Sequence, residues 1–379
     1  MLYWLLYEKL YPFFRPFRIF RFLTVRTAFA SLTALLIALL IGPWVIQKLR
    51  EFQIGQFVRE DGPQSHLKKT GTPTMGGILI VIAILVPTVL WSDPSNAFVW
   101  VAVFSLLAFG AIGFADDYIK VVQRRSLGLT ARAKLFWQSL AAAGVAVSLV
   151  ALQQFRFFST RLTVPFVKLW RPELLWHYWP STVPALALVA FVPFVVWVIV
   201  VLMGSTNSVN LTDGLDGLAI GCIIIAAGAL TVLTYVSSNV VFADYLELQH
   251  TPRVAELTVF CGSMVGASIG FLWYNAHPAE IFMGDVGSLA LGGAMGTVAI
   301  IIRQELLLPF IGGIFVLETL SVILQVGSYK LRNGKRIFKM APLHHHFEQS
   351  GWSESKVIVR FWIGALVFAL FALTTLKLR

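Results

Sequence analysis

Residues 97–117 read A-F-V-W-V-A-V-F-S-L-L-A-F-G-A-I-G-F-A-D-D. An uncharged apolar stretch, near the roughly 20 residues needed to cross a bilayer's hydrocarbon core, runs directly into two adjacent aspartates, Asp116 and Asp117. Stretches of the same kind recur at about 22–46, 74–91, 134–152, 184–203, 216–236, 255–274, 287–302, 308–329 and 357–376. Composition agrees with this pattern. Hydrophobic residues make up 57% of the 379 residues, charged residues 13%, and the mean hydropathy is +0.77. Soluble domains carry roughly 25% charged residues, and a water-soluble chain of this length has no means of hiding so much apolar surface. A soluble enzyme, a disordered chain and a coiled coil are therefore excluded. The expected fold is an all-α polytopic membrane protein of about ten transmembrane helices, forming one unit over 1–379. The first span is longer than the apolar core of a cleavable signal, and no small-residue cleavage site follows Pro43-Trp44, so it is expected to remain as a helix.

The net charge is +11. In a soluble domain this would suggest a nucleic-acid partner, but Lys and Arg are retained in the cytoplasmic loops of membrane proteins, and no nucleic acid is expected here. Loops 1–2, 3–4 and 9–10 with their flanks hold 16 Lys and Arg residues, including Lys68, Lys69, Lys120 and Lys134. The opposite side, counting the N-terminal Lys9, Arg15, Arg18 and Arg21, holds 12. The bias puts the odd-to-even loops in the cytoplasm and both termini outside. The aromatic segment before span five, with Trp170, Trp176, Tyr178 and Trp179, suits the outer headgroup region. The alternation around Phe155–Arg161 suggests a short hairpin. Cys222 and Cys261 lie within apolar runs and form no CxxC pair, which supports neither a disulfide framework nor a zinc site.

Five of the eight aspartates, at 116, 117, 213, 216 and 285, fall at cytoplasmic helix ends. Polar residues accumulate at helix ends in any case, which accounts for Asp61, Asp93 and Asp244. It accounts poorly for Asp116-Asp117, where adjacent carboxylates repel at a depth at which charge is costly. A cation or a proton would relieve them. The second cluster, Asn207-Ser-Val-Asn210-Leu-Thr-Asp213-Gly-Leu-Asp216-Gly217, reads as the start of helix six. Its polar residues recur every three positions, on one face if helical. The third, Asn275-Ala-His-Pro-Ala-Glu-Ile-Phe282-Met-Gly-Asp285-Val-Gly-Ser288, places Asp285 at the start of helix eight, where it suits either a Mg²⁺ ligand or a cap. The fourth, Pro342-Leu-His344-His345-His346-Phe-Glu348, fits a transition metal or imidazoles facing a phosphate. Gly71-Thr-Pro-Thr74-Met-Gly-Gly77 after Lys68-Lys69 lacks the terminal Gly-Lys-Ser/Thr of a P-loop, but backbone donors at a helix start beside lysines make an anion site.

Each cytoplasmic loop thus carries one polar cluster. Acids for a divalent cation, bases for phosphate and amides for a nucleotide meet at one membrane face, as transfer from a soluble phosphate donor to a lipid acceptor requires. GTPTMGG, DDY with Lys120, NLTDGLDGLA, FMGDVGS and PLHHHFE together resemble the phospho-N-acetylmuramoyl-pentapeptide transferases. These belong to the polyprenyl-phosphate N-acetylhexosamine-1-phosphate transferase superfamily, and the resemblance covers nearly the whole chain. It implies a Mg²⁺-dependent transfer from UDP-N-acetylmuramoyl-pentapeptide to undecaprenyl phosphate, in the cytoplasmic membrane of a bacterium, by a homodimer. By the same resemblance Asp285 would ligate Mg²⁺, Asp117 would support metal or phosphate geometry, and Asp116 would be the base. Lys69, Thr74, Lys120, Lys134, Asn207, Asn210, Asp213, Asp216, Asn275 and Phe282 would border the substrate, with His344, His345 and His346 at the sugar-phosphate end.

Two other readings compete. A sister transferase acting on UDP-N-acetylglucosamine shares the acidic motifs, though GTPTMGG and the histidine loop favour the muramoyl branch. A secondary transporter would place its sites near the midplane within inverted repeats. The acids here sit at helix ends and no repeat is present. Only Glu318, mid-way along span nine, points towards transport.

Overall fold

The structure, a computed structural model, describes residues 1–52, 71–123, 128–155, 157–165, 167, 170–175 and 189–377. Lys68, Lys69, Arg156, Trp176, Tyr178 and Trp179 lie outside the described residues. Among the described residues ten helices of at least 15 residues run in the expected order: α1 Leu23–Glu51, α2 Gly77–Trp91, α3 Ala97–Val122, α4 Ala131–Gln154 and α5 Val192–Thr212. They continue as α6 Leu218–Ser238, α7 Ala255–Asn275, α8 Gly284–Ile301, α9 Gly313–Leu331 and α10 Glu354–Thr374. Among the described residues nine are long and apolar enough to cross a membrane, and α2 is a shorter apolar helix. Arg161 and Glu173 form an isolated antiparallel bridge, so the expected hairpin amounts to a brief antiparallel contact on the long α4–α5 connection.

The middle of the bundle is α8. Every residue from Val286 to Ile301 is buried, as expected of a helix that is apolar on all sides. It lies against α3, α5 and α2, while α7 lies against α1, α6 and α2. Small residues make these approaches close. A Cβ on Gly77 would overlap the backbone of Gly287, and one on Gly113 would overlap the Asp285 carbonyl. Helices in lipid associate through such small-residue contacts because hydrocarbon offers no hydrophobic drive between them. By contrast α1, α5, α9 and α10 are mostly open to the surroundings.

Several boundaries differ from the sequence expectation by a few residues or more, and three of them, each with a local reason, shape the site. The stretch 74–76 lies outside the helix, with Met75 turned to φ +69°. Its backbone pairs with the loop before α8: Phe282 N donates to Pro73 O (2.8 Å), Gly76 N to Phe282 O (2.9 Å) and Gly77 N to Met283 O (2.8 Å). Helix α3 continues to Val122, since no Gly or Pro follows the aspartates, so Asp116 and Asp117 ride on its last turns. Asn207 and Asn210 end α5 instead of beginning α6, and a turn through Gly217 at φ +76° separates the two helices.

Candidate active site

Helical spacing puts Asp116, Asp117 and Lys120 on one face of α3. The Lys120 ammonium lies 2.6 Å from Asp116, 3.3 Å from Asp117 and 3.0 Å from Asp285 at the start of α8. Lys134, from the first turn of α4, reaches Asp285 at 2.6 Å. The three carboxylates offer oxygens within 4.8 Å of one another. Asp116 and Asp117 are each about 3% exposed, a depth at which ionised groups persist only when paired. Backbone donors complete the arrangement: Leu129 N donates to Asp116 Oδ1 (2.8 Å) and Val286 N to Asp117 Oδ2 (3.2 Å).

Asn210, on the last turn of α5, donates from Nδ2 to Asp285 Oδ1 (2.7 Å) and to Ser288 Oγ (2.9 Å). Thr74 stands beside Gly284, whose positive φ of 69° directs the chain so that Thr74 Oγ1 and the Asp117 carboxylate flank the same point. Asp213, at the end of α5, lies beside the Gly284 backbone. Withdrawal from water, with the Asp285, Asp117 and Asp216 carboxylates facing it, pushes Asp213 up to about 8. Four helices, α3, α4, α5 and α8, with the stretch before α2, thus deliver Asp116, Asp117, Lys120, Lys134, Asn210, Thr74, Asp213 and Asp285 to one end of the bundle.

Other expected residues are placed differently. The turn that ends α5 sends Asp213 and Asp216 to different neighbours, so they do not share a face. Asp216 meets His277 Nδ1 at 3.3 Å and accepts from Ala279 N at 3.1 Å. With Glu354, at the start of α10, these groups form a second set of carboxylate and imidazole ligand atoms within 4.8 Å. Neither His277 nor Glu354 stood out in the sequence. His277 sits inside the third cluster between Ala276 and Pro278, and no local signal marks Glu354. Asn275 accepts from Gly217 N (3.1 Å) and donates to Ile281 O (2.8 Å), which makes it a clamp between the two loops. Asn207 forms an amide pair with Gln138, donating to Gln138 Oε1 at 2.9 Å. Phe282 is half-buried, and its backbone is paired with residues 73 and 76.

The histidines do not converge on one ligand. His344 Nδ1 faces Glu318 at 3.2 Å, His345 Nδ1 faces Glu348 at 2.8 Å, and His346 Nδ1 accepts from Lys339 N at 3.1 Å. Glu318 and His344 are wholly buried, so the one intramembrane acid that suggested transport has an internal partner.

What this geometry can do is hold a polyanion. Two ammonium groups and a carboxylate cluster lie at the mouth of an apolar bundle, where phosphate and cation can be bound together away from bulk water. Known proteins carry the same arrangement of motifs. Residues 99–303 match glycosyl transferase family 4, and residues 69–81 match phospho-N-acetylmuramoyl-pentapeptide-transferase signature 1. Proteins named phospho-N-acetylmuramoyl-pentapeptide-transferase from Acidobacterium capsulatum, Koribacter versatilis and Solibacter usitatus are 76%, 69% and 61% identical, over the full length of both chains in each comparison. The chain belongs to the phospho-N-acetylmuramoyl-pentapeptide transferase family. Within the signature segment, Pro73, Gly76 and Gly77 pair through their backbone with the loop before Asp285, so this piece of sequence buttresses the acidic cluster.

Proposed function

We propose that this chain transfers phospho-N-acetylmuramoyl-pentapeptide from UDP-N-acetylmuramoyl-pentapeptide to undecaprenyl phosphate, giving lipid I and UMP in the cytoplasmic membrane of a bacterium. The observation that carries the reading is the meeting of Asp116, Asp117 and Asp285 with Lys120 and Lys134 at one end of an apolar bundle. In this reading that end faces the cytoplasm and both termini lie outside, as the loop charges favour. The same reading takes Mg²⁺ as cofactor and a homodimer as the assembly.

The donor set suits Mg²⁺. The Asp116, Asp117 and Asp285 group contains carboxylate oxygens only, and this cation takes one or two carboxylates together with phosphate oxygens. Asp285 and Asp117 would hold it, and it would neutralise charge on the diphosphate being cleaved. The rest falls to the chain. An oxygen of the lipid phosphate forms a bond to the β-phosphorus, the bond from that phosphorus to the bridging oxygen breaks, and UMP leaves with the electron pair. Phosphoryl transfer depends mainly on positioning and charge neutralisation, which Lys120 and Lys134 supply by drawing the phosphate oxygens to one place. The acceptor is a phosphate monoester with a second pKa of about 6, largely dianionic at neutral pH. Asp116 therefore orients Lys120 and the Leu129 loop and has little need to remove a proton.

The test is UMP release from purified protein, with and without polyprenyl phosphate, from UDP-N-acetylmuramoyl-pentapeptide and from UDP-N-acetylglucosamine. Release is expected only with the muramoyl donor and the lipid together. Release without lipid, or from UDP-N-acetylglucosamine alone, overturns the assignment.

A further inference from the structure

Glu318 is an acid on α9 with no exposed side-chain surface. Both of its oxygens face a single residue: His344 N donates to Oε1 at 3.2 Å, and His344 Nδ1 lies 3.2 Å from Oε2. Nδ1 stands at hydrogen-bond distance from a carboxylate oxygen, which accepts, so Nδ1 is the donor. His344 is then the Nδ1–H tautomer, and Nε2 carries a lone pair.

That lone pair has no partner. His344 is 1% exposed, and its Nε2 is buried without a hydrogen bond among the described residues. It is aimed at the turn between α5 and α6. A Cβ on Gly214 would overlap Nε2 and lie 2.9 Å from Cε1, so the absence of a side chain at 214 is what lets the ring reach the turn flanked by Asp213 and Asp216. A buried acceptor left unpaired is unfavourable, and a donor group arriving at this turn relieves it.

We propose that Glu318 is a positioning residue that fixes the His344 tautomer, so that Nε2 accepts a hydrogen bond from a hydroxyl or amide N–H of the nucleotide-sugar. This rests on the reaction proposed above. It also gives Glu318 a role that neither transport nor helix stability requires.

The Glu318→Gln variant separates the two. Gln conserves the volume and can keep both contacts, accepting from His344 N and donating to Nδ1. Doing so moves the ring proton to Nε2 and turns the acceptor into a donor. The expected result is a thermal melt close to wild type with kcat/KM for the nucleotide-sugar lowered about ten- to hundredfold. In a His344→Asn background, which has no tautomer to set, the same change is expected to cost nothing further. Nitrogen-15 spectra of the wild-type protein labelled at histidine, assigned by the loss of a signal in His344→Asn, are expected to show Nδ1 protonated and Nε2 bare. Full activity in Glu318→Gln, an equal loss in both backgrounds, or a wild-type Nε2–H each overturns the proposal. The spectrum needs no turnover. A wild type that releases no UMP counts against the reaction, whereas an active wild type with a silent Glu318→Gln counts against this role alone.

Discussion

The close approach of α3 to α8 makes a sharp prediction about one methyl group. Gly110 and Gly113 lie one turn apart on α3 and both face α8. At Gly110 an added Cβ would meet Ala290 Cβ and Val81 Cγ2 at 3.5 Å, ordinary contact. At Gly113 it would overlap the Asp285 carbonyl and come to 2.6 Å from Val286 N. Carbon contacts settle near 3.5–4.0 Å, so α8 must retreat by roughly 1 Å to admit a methyl group at this position. The atoms that retreat include Asp285 and Val286 N, which donates to Asp117 Oδ2 at 3.2 Å. A misplacement of about 1 Å at reacting groups costs on the order of 100-fold in rate, while overpacking costs about 1–3 kcal/mol of stability. Gly113→Ala should therefore fold with a lowered melting temperature and lose about two orders of magnitude in kcat for UMP release. Gly110→Ala should be neutral or slightly more stable, since Ala is the better helix former by roughly 0.5–1 kcal/mol. Full activity in Gly113→Ala, or an equal loss in both variants, would refute the argument that backbone contact sets the Asp285–Asp117 geometry.

Other perturbations probe other parts of the account. Arg26 and Glu256 form a buried pair with two 2.7 Å contacts at the opposite end of the bundle. Arg26→Met should cost about 3–5 kcal/mol by stranding the carboxylate, adding Glu256→Leu should recover most of it, and UMP release per folded molecule should hold throughout. Burial pushes Glu305, in the α8–α9 connection, up to about 7 from an ordinary value of 4.5. The folded state thus favours the neutral acid, and its stabilising contribution is complete below about pH 4.5 and lost as pH rises through 7. The melting temperature should fall from pH 5 to pH 8, and Glu305→Gln should flatten that slope; an unchanged slope contradicts the assignment. Lys120→Met removes the cation shared by three carboxylates and should lower kcat about 100- to 1,000-fold. If that variant stays fully active, Lys120 has no part in charge neutralisation.

Much of this was legible in the sequence because burying charge in lipid is costly. Asp116, Asp117 and Asp285 mark themselves by sitting at the ends of apolar runs, and the loop charges group those ends on one side, whereas Lys120 and Lys134 read in the sequence first as loop charges. What escaped depends on backbone turns and on long-range pairing. The three-residue spacing of Asp213 and Asp216 suggested a shared face, but the turn through Gly217 sends one towards Asp285 and the other to His277 and Glu354. The amide of Asn275 looked free to bind and instead ties two loops together. The stretch before α2 reads as apolar enough for helix, yet its backbone groups are taken by the loop before α8. Glu318 and His344 stand 26 positions apart, and neither periodicity nor composition joins them.

The central claim is that Asp285, gathered with Asp116, Asp117 and two lysines, organises transfer to a lipid phosphate. Its most direct test is Asp285→Asn, which preserves size and the capacity to accept from Asn210 while removing the charge. UMP release should fall at least 100- to 1,000-fold with excess Mg²⁺, the melting temperature should stay near wild type, and added metal should not restore the rate. An Asp285→Asn protein that releases UMP at the wild-type rate would contradict the account.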